Sequence, residues 1–408
     1  MVWSYWRRRL VIATAFLLGA SALSSAQYFP PPDSSGGWRT LKNPDEIRAK
    51  TGIDVQALDK VFQYIQGSSR NGGLSAVRHG WLVYERYFGR ANRDSTPNEA
   101  STGKSFTGVA MGILLHERPD LFPDGLDQKI YTPRYPPAEA FPPNDPRKRE
   151  IKLGQLLSMT AGLRGNSPGY VHGKPVTISP QGADGWQSAV DANAYVEDLW
   201  CNPGEGFSWA SVSAHLVSII IRHVTGMELQ DYVQSRLAEP LGWGRWSYAY
   251  RNHPGRNHTS GSGGIALRST DMLRWGYLLL HDGRWGNRQI VPAEYVREAT
   301  RRSAYNPHYS GAGMFFQLNS ADETIAAPPD GFWMRGSGGF QISVVPSLDL
   351  VVWKMGGRDD QYDPKNTGLP ELHPYTETRP AWKSSLDGDT AGRHSLEMIV
   401  AAIEDKSK

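Results

Sequence analysis

The sequence of 408 residues has a single cysteine, Cys201, so it has no internal disulfide and its core must hold by packing alone. It also has no surplus of one charge, with 44 Lys and Arg against 41 Asp and Glu, which argues against nucleic acid or an anionic surface as a partner. None of the 11 histidines shows an HExxH-like ligand spacing, so we predict neither a metal site nor a cofactor. With 39% hydrophobic residues, the chain can still bury a sizeable core.

The N-terminus has the three regions of a signal peptide. An apolar run, Leu10 to Leu23, follows three consecutive arginines at residues 7–9, and small residues stand at the −3 and −1 positions of a cleavage site after Ala26. The apolar run is short for a bilayer span. We therefore expect residues 1–26 to be cleaved, which leaves a secreted or periplasmic protein without a stable membrane span. An uncleaved membrane anchor is the alternative.

Composition and periodicity divide the rest of the chain into a linker and one domain. Residues 27–45 include the Pro-, Ser- and Gly-rich stretch YFPPPDSSGG and are predicted to be a linker. Residues 46–408 show a helix, two strands around a His79-Gly80 turn, a long helical middle, further strands and a closing helix. This order predicts an α/β (α+β) fold, in which an antiparallel sheet is flanked by N- and C-terminal helices and carries an inserted all-helical region, roughly residues 105–265.

Ser101 and Lys104 lie three residues apart at the start of an apolar helix, in the segment ASTGKSFTG. This spacing places both side chains on one face of a helix. A serine hydroxyl needs a base to become a nucleophile, and partial burial lowers the pKa of a lysine so that its neutral amine can act as that base. The pair therefore indicates a nucleophile, Ser101, with its general base, Lys104; a helix cap with a solvated lysine is the other interpretation.

The longer segment decides between them, because ASTGKSFTG closely resembles the Ser-x-x-Lys motif of the serine β-lactamase and penicillin-binding-protein superfamily, in its class C and esterase-like branch. Four further segments resemble the family in the same order: AVRHGWLVYERYFG, IKLGQLLSMTAGL, PGEGFSWASVSAHLVSIIIRHVTG and SGGIALRSTDMLRWGYLLLHDG. The resemblance covers most of the chain after the leader. It implies a β-lactamase/transpeptidase-like fold and hydrolysis through an acyl-enzyme on Ser101.

The second motif of this family, Tyr-x-Asn, is changed here. A gap-free alignment places Trp209 at the tyrosine and Ser211 at the asparagine. An indole N–H donates a proton but cannot accept one, so Trp209 is not a base and is expected to be a wall of the pocket. Ser211 keeps a hydroxyl that can hold Lys104 or a substrate carbonyl. Tyr170 is a candidate for the missing phenol, with an ordinary surface tyrosine as the alternative.

The third motif, Lys-Thr-Gly or His-x-Gly in the family, is closest to GSGG at Gly336–Gly339, with Ser337 at the basic position. Two of its glycines leave room for substrate against the strand, Gly336 and Gly338. In this register the N–H groups of Ser101 and Phe340 form the oxyanion hole, whereas an earlier register puts Ser337 at the oxyanion position. Arg335 is either a bidentate donor to a substrate carboxylate or an exposed strand arginine.

Two of the three motifs thus lack their usual polar residues, which argues against a true β-lactamase. We predict an exported serine hydrolase that cleaves an ester or amide bond of a small molecule or peptide. One alternative is a D-amino-acid peptidase or transpeptidase acting on cell-wall fragments. The other is a catalytically inactive binding protein with the same fold. The presence of Ser101 and Lys104 favours an enzyme, whereas Trp209 and Ser337 favour the binding protein.

Overall fold

The computed structural model describes residues 27–179, 190–248, 258–321, 325–370 and 383–405. The predicted signal peptide, residues 1–26, lies outside these ranges. In the part of the chain that is described, no helix has both the length and the apolar character needed to cross a membrane.

Twelve strands are assigned in the described residues. They are β1 (Gly72–Arg78), β2 (Trp81–Phe88), β3 (Gly169–Val171), β4 (Lys174–Val176), β5 (Ser247–Tyr248), β6 (Ile265–Ala266), β7 (Arg284–Trp285), β8 (Arg288–Gln289), β9 (Gln317–Leu318), β10 (Phe332–Gly336), β11 (Phe340–Val345) and β12 (Leu350–Met355). Six of them form one antiparallel sheet in the order β2-β1-β12-β11-β10-β9. The others form three two-stranded pieces.

The α-helices assigned in the same residues follow the predicted order. They are α1 (Pro44–Thr51), α2 (Val55–Ile65), α3 (Gly103–Glu117), α4 (Leu153–Leu157), α5 (Asp191–Val196), α6 (Ser211–Thr225), α7 (Leu229–Val233), α8 (Glu239–Leu241), α9 (Ser269–Leu280), α10 (Ala293–Ala299), α11 (Pro364–Thr367) and α12 (Gly388–Ala401). The fold is therefore mixed, with an antiparallel sheet and helices from both ends of the chain, as predicted.

The sheet separates two cores because side chains alternate between the faces of a strand. On one face Leu350 and Val352 of β12 pack with the terminal helices α2 and α12. On the other face Val351 and Trp353 join the larger core, which includes α3, α6 and α9. The terminal helices and the helical middle thus lie on opposite sides of the sheet.

The hairpin between β1 and β2 turns at His79 and Gly80, as predicted. Both residues have positive φ, 51° and 70°, the left-handed conformation that a tight two-residue hairpin requires. Glycine adopts this conformation without a steric penalty, which explains its place at the second position.

The predicted linker is wrong, because residues 27–45 pack onto α9 and contain the start of α1. The buried guanidinium of Arg274 donates to Pro31 O at 2.6 Å and to Asp33 Oδ1 at 2.7 Å. The indole of Trp38 donates to Thr270 O at 3.1 Å. Pro, Ser and Gly composition indicates a flexible tether, but it does not reveal partners that lie some 240 residues away in sequence.

The inserted region is also less uniform than predicted. Between residues 105 and 265 lie most of α3 and the whole of α4–α8, but the β3–β4 hairpin and β5 lie there as well. Helices are therefore the main regular elements of the region, but it is not all-helical, and the short hairpin borders the site described next.

Candidate active site

Ser101 lies in a short 3₁₀ turn, Ala100–Thr102, immediately before α3. Ala100 has φ of 49°, a left-handed conformation that is uncommon for a residue with a Cβ and is maintained by surrounding contacts. The loop before β6 supplies such contacts, since Gly264 N–H donates to Ala100 O at 2.8 Å. Glu99 N–H likewise donates to Ile265 O at 2.9 Å. The backbone of the turn that carries Ser101 is thus held in place by residues 264–265, which are distant in sequence.

Lys104 is bound to Ser101, as the spacing predicts. Its Nζ lies 2.7 Å from Ser101 Oγ and 2.6 Å from Ser262 O, and only 1% of the residue is exposed. Burial lowers the pKa of this amine to about 7. Near neutral pH a large fraction of Lys104 is therefore uncharged and able to accept the Ser101 proton.

Glu99 carries a buried carboxyl two residues before Ser101. The side chain is fully buried, and burial raises the pKa of its carboxyl well above the ordinary value. The Thr102 hydroxyl donates to the backbone O of Glu99 at 2.9 Å.

Ser101 opens into a cleft of about 610 Å³ beside the free edge of β10. The cleft contains every predicted pocket residue together with others that the motifs did not indicate. Its lining is formed by Ser101, Asn166, Pro168, Tyr170, Phe207, Trp209, Ser211, Tyr309, Gln317, Arg335, Gly336, Ser337, Gly338, Gly339, Asp387, Gly388 and Asp389.

One side of the cleft is an aromatic wall, defined as Tyr170, Phe207, Trp209 and Tyr309. The ring centroids of Tyr170 and Tyr309 lie 4.6 Å apart, and those of Phe207 and Tyr309 lie 4.8 Å apart with the rings stacked. Tyr170 and Phe207 also exchange backbone hydrogen bonds of 2.8 and 2.9 Å. Tyr170 and Trp209 thus lie in the cleft as predicted, whereas Phe207 and Tyr309 carry no motif signal.

Phe340 does not lie in the cleft, and its prediction as an oxyanion donor is wrong. Asn319 N–H donates to Gly331 O at 3.0 Å, so the backbone groups of Gly331 point toward β9. Successive residues of a strand direct their N–H and C=O groups to alternate sides, so those of Gly336, five residues later, point toward β11. Phe340 is the register partner of Gly336, so its N–H faces into the β10–β11 hairpin. The Phe340 ring is 1% exposed in the core, where it stacks on Trp353.

The earlier register, with Ser337 at the oxyanion position, agrees better with the structure. Ser337 lines the cleft together with Ser101. Gln361 Nε2 donates to Ser337 O at 3.0 Å and to Asn98 O at 2.8 Å, so it connects the Ser337–Gly339 turn to the segment before Ser101. Gln361 was not predicted, although its loop is long enough to indicate a role beside a site.

Arg335 lines the cleft but already has partners within the protein. Its Nε donates to Gln317 Oε1 at 2.7 Å, and its Nη1 lies 3.5 Å from Asp389 Oδ2. Bidentate binding of a carboxylate requires two adjacent, parallel N–H groups of the guanidinium that have no other acceptor. The predicted carboxylate site is therefore not preformed, and the prediction of an exposed strand arginine also fails because the side chain is only 13% exposed.

Ser211 begins α6 at the border of the cleft, while the second hydrogen bond of Lys104 goes to Ser262 O. Of the two predicted roles of Ser211, contact with a substrate carbonyl is thus the one its position allows.

Within the described residues, no group of three His, Cys, Asp or Glu side chains is arranged to bind a metal ion.

Comparisons with known proteins show similar folds and a family. The chain resembles the structure of a putative beta-lactamase from Bacteroides dorei DSM 17855, with a TM-score of 0.62 and 20% identity over 86% of this chain and 99% of that chain. It also resembles a putative 6-aminohexanoate-dimer hydrolase from Bacillus anthracis, with a TM-score of 0.58 and 19% identity over 84% of this chain and 85% of that chain.

A third similar structure is EstCE1, a hydrolase with promiscuous acyltransferase activity, with a TM-score of 0.57 and 16% identity over 76% of this chain and 97% of that chain. At such identities these likenesses show the fold alone. No curated protein matches the chain significantly. The model of the Beta-lactamase family, however, matches residues 58–366, and the chain therefore belongs to this family of serine hydrolases, which includes esterase- and amidase-like enzymes.

Proposed function

We propose that this protein is an exported serine hydrolase that cleaves an ester or amide bond of a small molecule or peptide through an acyl-enzyme on Ser101. The observation that carries the proposal is the contact of 2.7 Å between Ser101 Oγ and the buried Lys104 amine. A hydroxyl beside an amine whose pKa lies at about 7 is an activated nucleophile at neutral pH.

The reaction then proceeds in two halves. Neutral Lys104 accepts the Ser101 proton while Oγ attacks the carbonyl carbon, and the N–H groups of Ser101 and Ser337 stabilise the oxyanion. The bond to the leaving group breaks as Lys104 returns the proton to the departing alcohol or amine. Water hydrolyses the acyl ester by the same route and frees Ser101.

The aromatic wall indicates what kind of acyl group the cleft accepts. Rings of Phe207 and Tyr309 offer a flat apolar surface on one side, and flat or apolar groups gain free energy by packing there. The lining also includes a polar cluster, in which Arg335 contacts Gln317 and Asp389. We therefore propose a substrate with one apolar part, near the wall, and one polar part.

A fluorophosphonate probe tests the proposal directly. Ser101 Oγ is expected to displace fluoride from phosphorus, with its proton passing to Lys104, so that the intact mass rises by one phosphonyl group per chain. Tandem mass spectrometry should place the adduct on Ser101. The reaction needs an activated serine and an oxyanion hole but no knowledge of the substrate.

The matched control is Ser105→Ala, since Ser105 is a buried serine one turn along α3 that donates to Thr102 O and does not line the cleft. Labelling should survive in Ser105→Ala and vanish in Ser101→Ala. An intact wild-type protein that never reacts, even with excess probe, would favour the inactive binding protein instead.

Export is a separate expectation, supported by the charged, apolar and small-residue regions of the leader. Expressed in a bacterial host, the mature protein should be found outside the cytoplasm and begin near Gln27, as read by N-terminal sequencing. Leu17→Arg interrupts the apolar run and should leave the precursor unprocessed. Soluble cytoplasmic protein that retains Met1 would contradict the expectation.

A further inference from the structure

Lys354 is a buried lysine in the central sheet, on β12. The residue is 1% exposed, and its Nζ donates to Gly339 O at 2.5 Å. Gly339 ends the Ser337–Gly339 turn, and all three residues of this turn line the cleft beside Ser101. An ammonium inside the protein thus binds the backbone of the turn that borders the nucleophile.

Packing does not explain a lysine at this position. The residues of β12 that share its face, Leu350 and Val352, are buried and apolar. Burying an ammonium costs free energy unless hydrogen bonds or opposite charge compensate it. A leucine or methionine would fill the same space without this cost, so the charge itself must serve a purpose there.

The turn is held from two sides. The Gln361 side chain connects Ser337 O to the segment before Ser101, and the Lys354 amine donates to Gly339 O on the sheet face that carries α12. The middle residue is held as well, since Gly357 N–H donates to Gly338 O at 2.9 Å. Both glycines of the turn have positive φ, 102° at Gly338 and 85° at Gly339, so the turn has little resistance to rearrangement of its own. Its geometry therefore depends on these hydrogen bonds, of which that of Lys354 comes from a buried, titratable side chain.

We infer that Lys354 is a positioning residue, whose ammonium fixes the Ser337–Gly339 turn so that the Ser337 N–H points at the acyl oxygen bound at Ser101. The inference rests on the proposed function, since it concerns the oxyanion hole of that reaction. The sequence shows serine at the basic position of the third motif, and in the fold Lys354 brings a lysine to the same turn from two strands away.

The charge of Lys354 is expected to be lost in weakly alkaline solution. Burial lowers the pKa of its amine to about 8, although Asp389 at the start of α12 acts in the opposite direction. Arg335 on the same sheet face also opposes a second positive charge, whereas the register neighbours Gln341 and Leu74 carry none. Arg70, in the loop after α2, is paired with Asp359.

The two lysines then impose opposite requirements. Lys104 must be neutral, so activity rises with pH through about 7. Lys354 must be charged, so activity falls as pH rises through about 8. The rate constant for phosphonylation of Ser101 should therefore pass through a narrow maximum between these values in the unsubstituted protein.

The test measures that rate constant by intact mass, with the fluorophosphonate probe, from about pH 5.5 to about pH 9.5. Lys354→Met should label about tenfold more slowly near pH 7.5, part of the 10²–10³ that a lost oxyanion donor costs, and should lose the falling limb. Above about pH 9 the two proteins should label at similar rates, because wild-type Lys354 is then neutral too.

Lys148→Met is the matched control. Lys148 is equally buried, donates to a backbone carbonyl, Tyr195 O, at 2.7 Å, and has a pKa lowered by burial to about 8, but it does not line the cleft. Its profile should keep the falling limb. Circular dichroism verifies that both variants fold. If Lys354→Met does not fold, the presence or absence of the falling limb in the wild-type pH profile tests the role of Lys354.

The outcomes separate the inference from the function on which it rests. A wild-type profile without a falling limb, or a falling limb that persists in Lys354→Met, overturns the role of Lys354 while labelling of Ser101 still supports the hydrolase. A wild-type protein that is not labelled at Ser101 at any pH overturns both.

Discussion

Ser101→Ala is expected to reduce ester hydrolysis by about 10³–10⁶, which is the usual loss when a catalytic nucleophile is removed. The fold should survive, because Ser101 lies in the turn before α3 rather than at its cap and contributes mainly one hydrogen bond to Lys104. Losing such a bond costs about 1 kcal/mol of the free energy of unfolding. Hydrolysis of 4-nitrophenyl acetate and the thermal midpoint measure the two effects separately.

Ser105→Ala again serves as the control, since it removes a buried hydroxyl of the same helix that is outside the cleft. It should lose stability to a similar extent and keep its rate. Hydrolysis by Ser101→Ala at the wild-type rate would show that another residue is the nucleophile.

Lys104→Met is expected to lower kcat/KM by about 10² or more, the usual size of a general-base contribution. Met fills the buried volume without an amine, so the loss reports the base rather than the packing. In the wild-type protein kcat/KM should rise as pH increases through about 7, because only the neutral amine accepts the Ser101 proton. This rise should be absent from the variant.

Two aromatic variants distinguish this mechanism from a phenol relay. Trp209→Phe removes one N–H donor from the aromatic wall and should cost little in kcat. Tyr170→Phe should also cost little if Lys104 acts alone, whereas a loss comparable to that of Lys104→Met would assign the proton relay to Tyr170. A large loss at Trp209 with none at Lys104 would contradict the lysine-base mechanism.

The sequence predicted best what depends on neighbours along the chain. Ser101 and Lys104 meet because three residues make nearly one helical turn, and the His79-Gly80 hairpin forms because both residues adopt positive φ. The sheet with terminal helices follows from the order of elements. These features need no knowledge of which distant segments touch.

The failures involve strand register or contacts between distant segments. Phe340 follows the glycines in sequence, but the hairpin register turns its N–H away from Ser101. Residues 27–45 look like a tether, yet Asp33 binds Arg274 in the fold. Lys354 and Gln361 reach the turn only because strand order and a long loop bring them there. No local pattern marks any of these contacts.

The hydrogen bonds around residues 98–104 also fix the backbone that carries Ser101 and Lys104. Gly264 and Ser262 of one loop contact Ala100 and Lys104, and Gln361 of another contacts Asn98, so two separate segments converge on the nucleophile. No hinge can pass through this region without breaking several of these bonds. Ser101 and Lys104 are therefore preorganised, and we expect no rearrangement of residues 98–104 when a substrate binds.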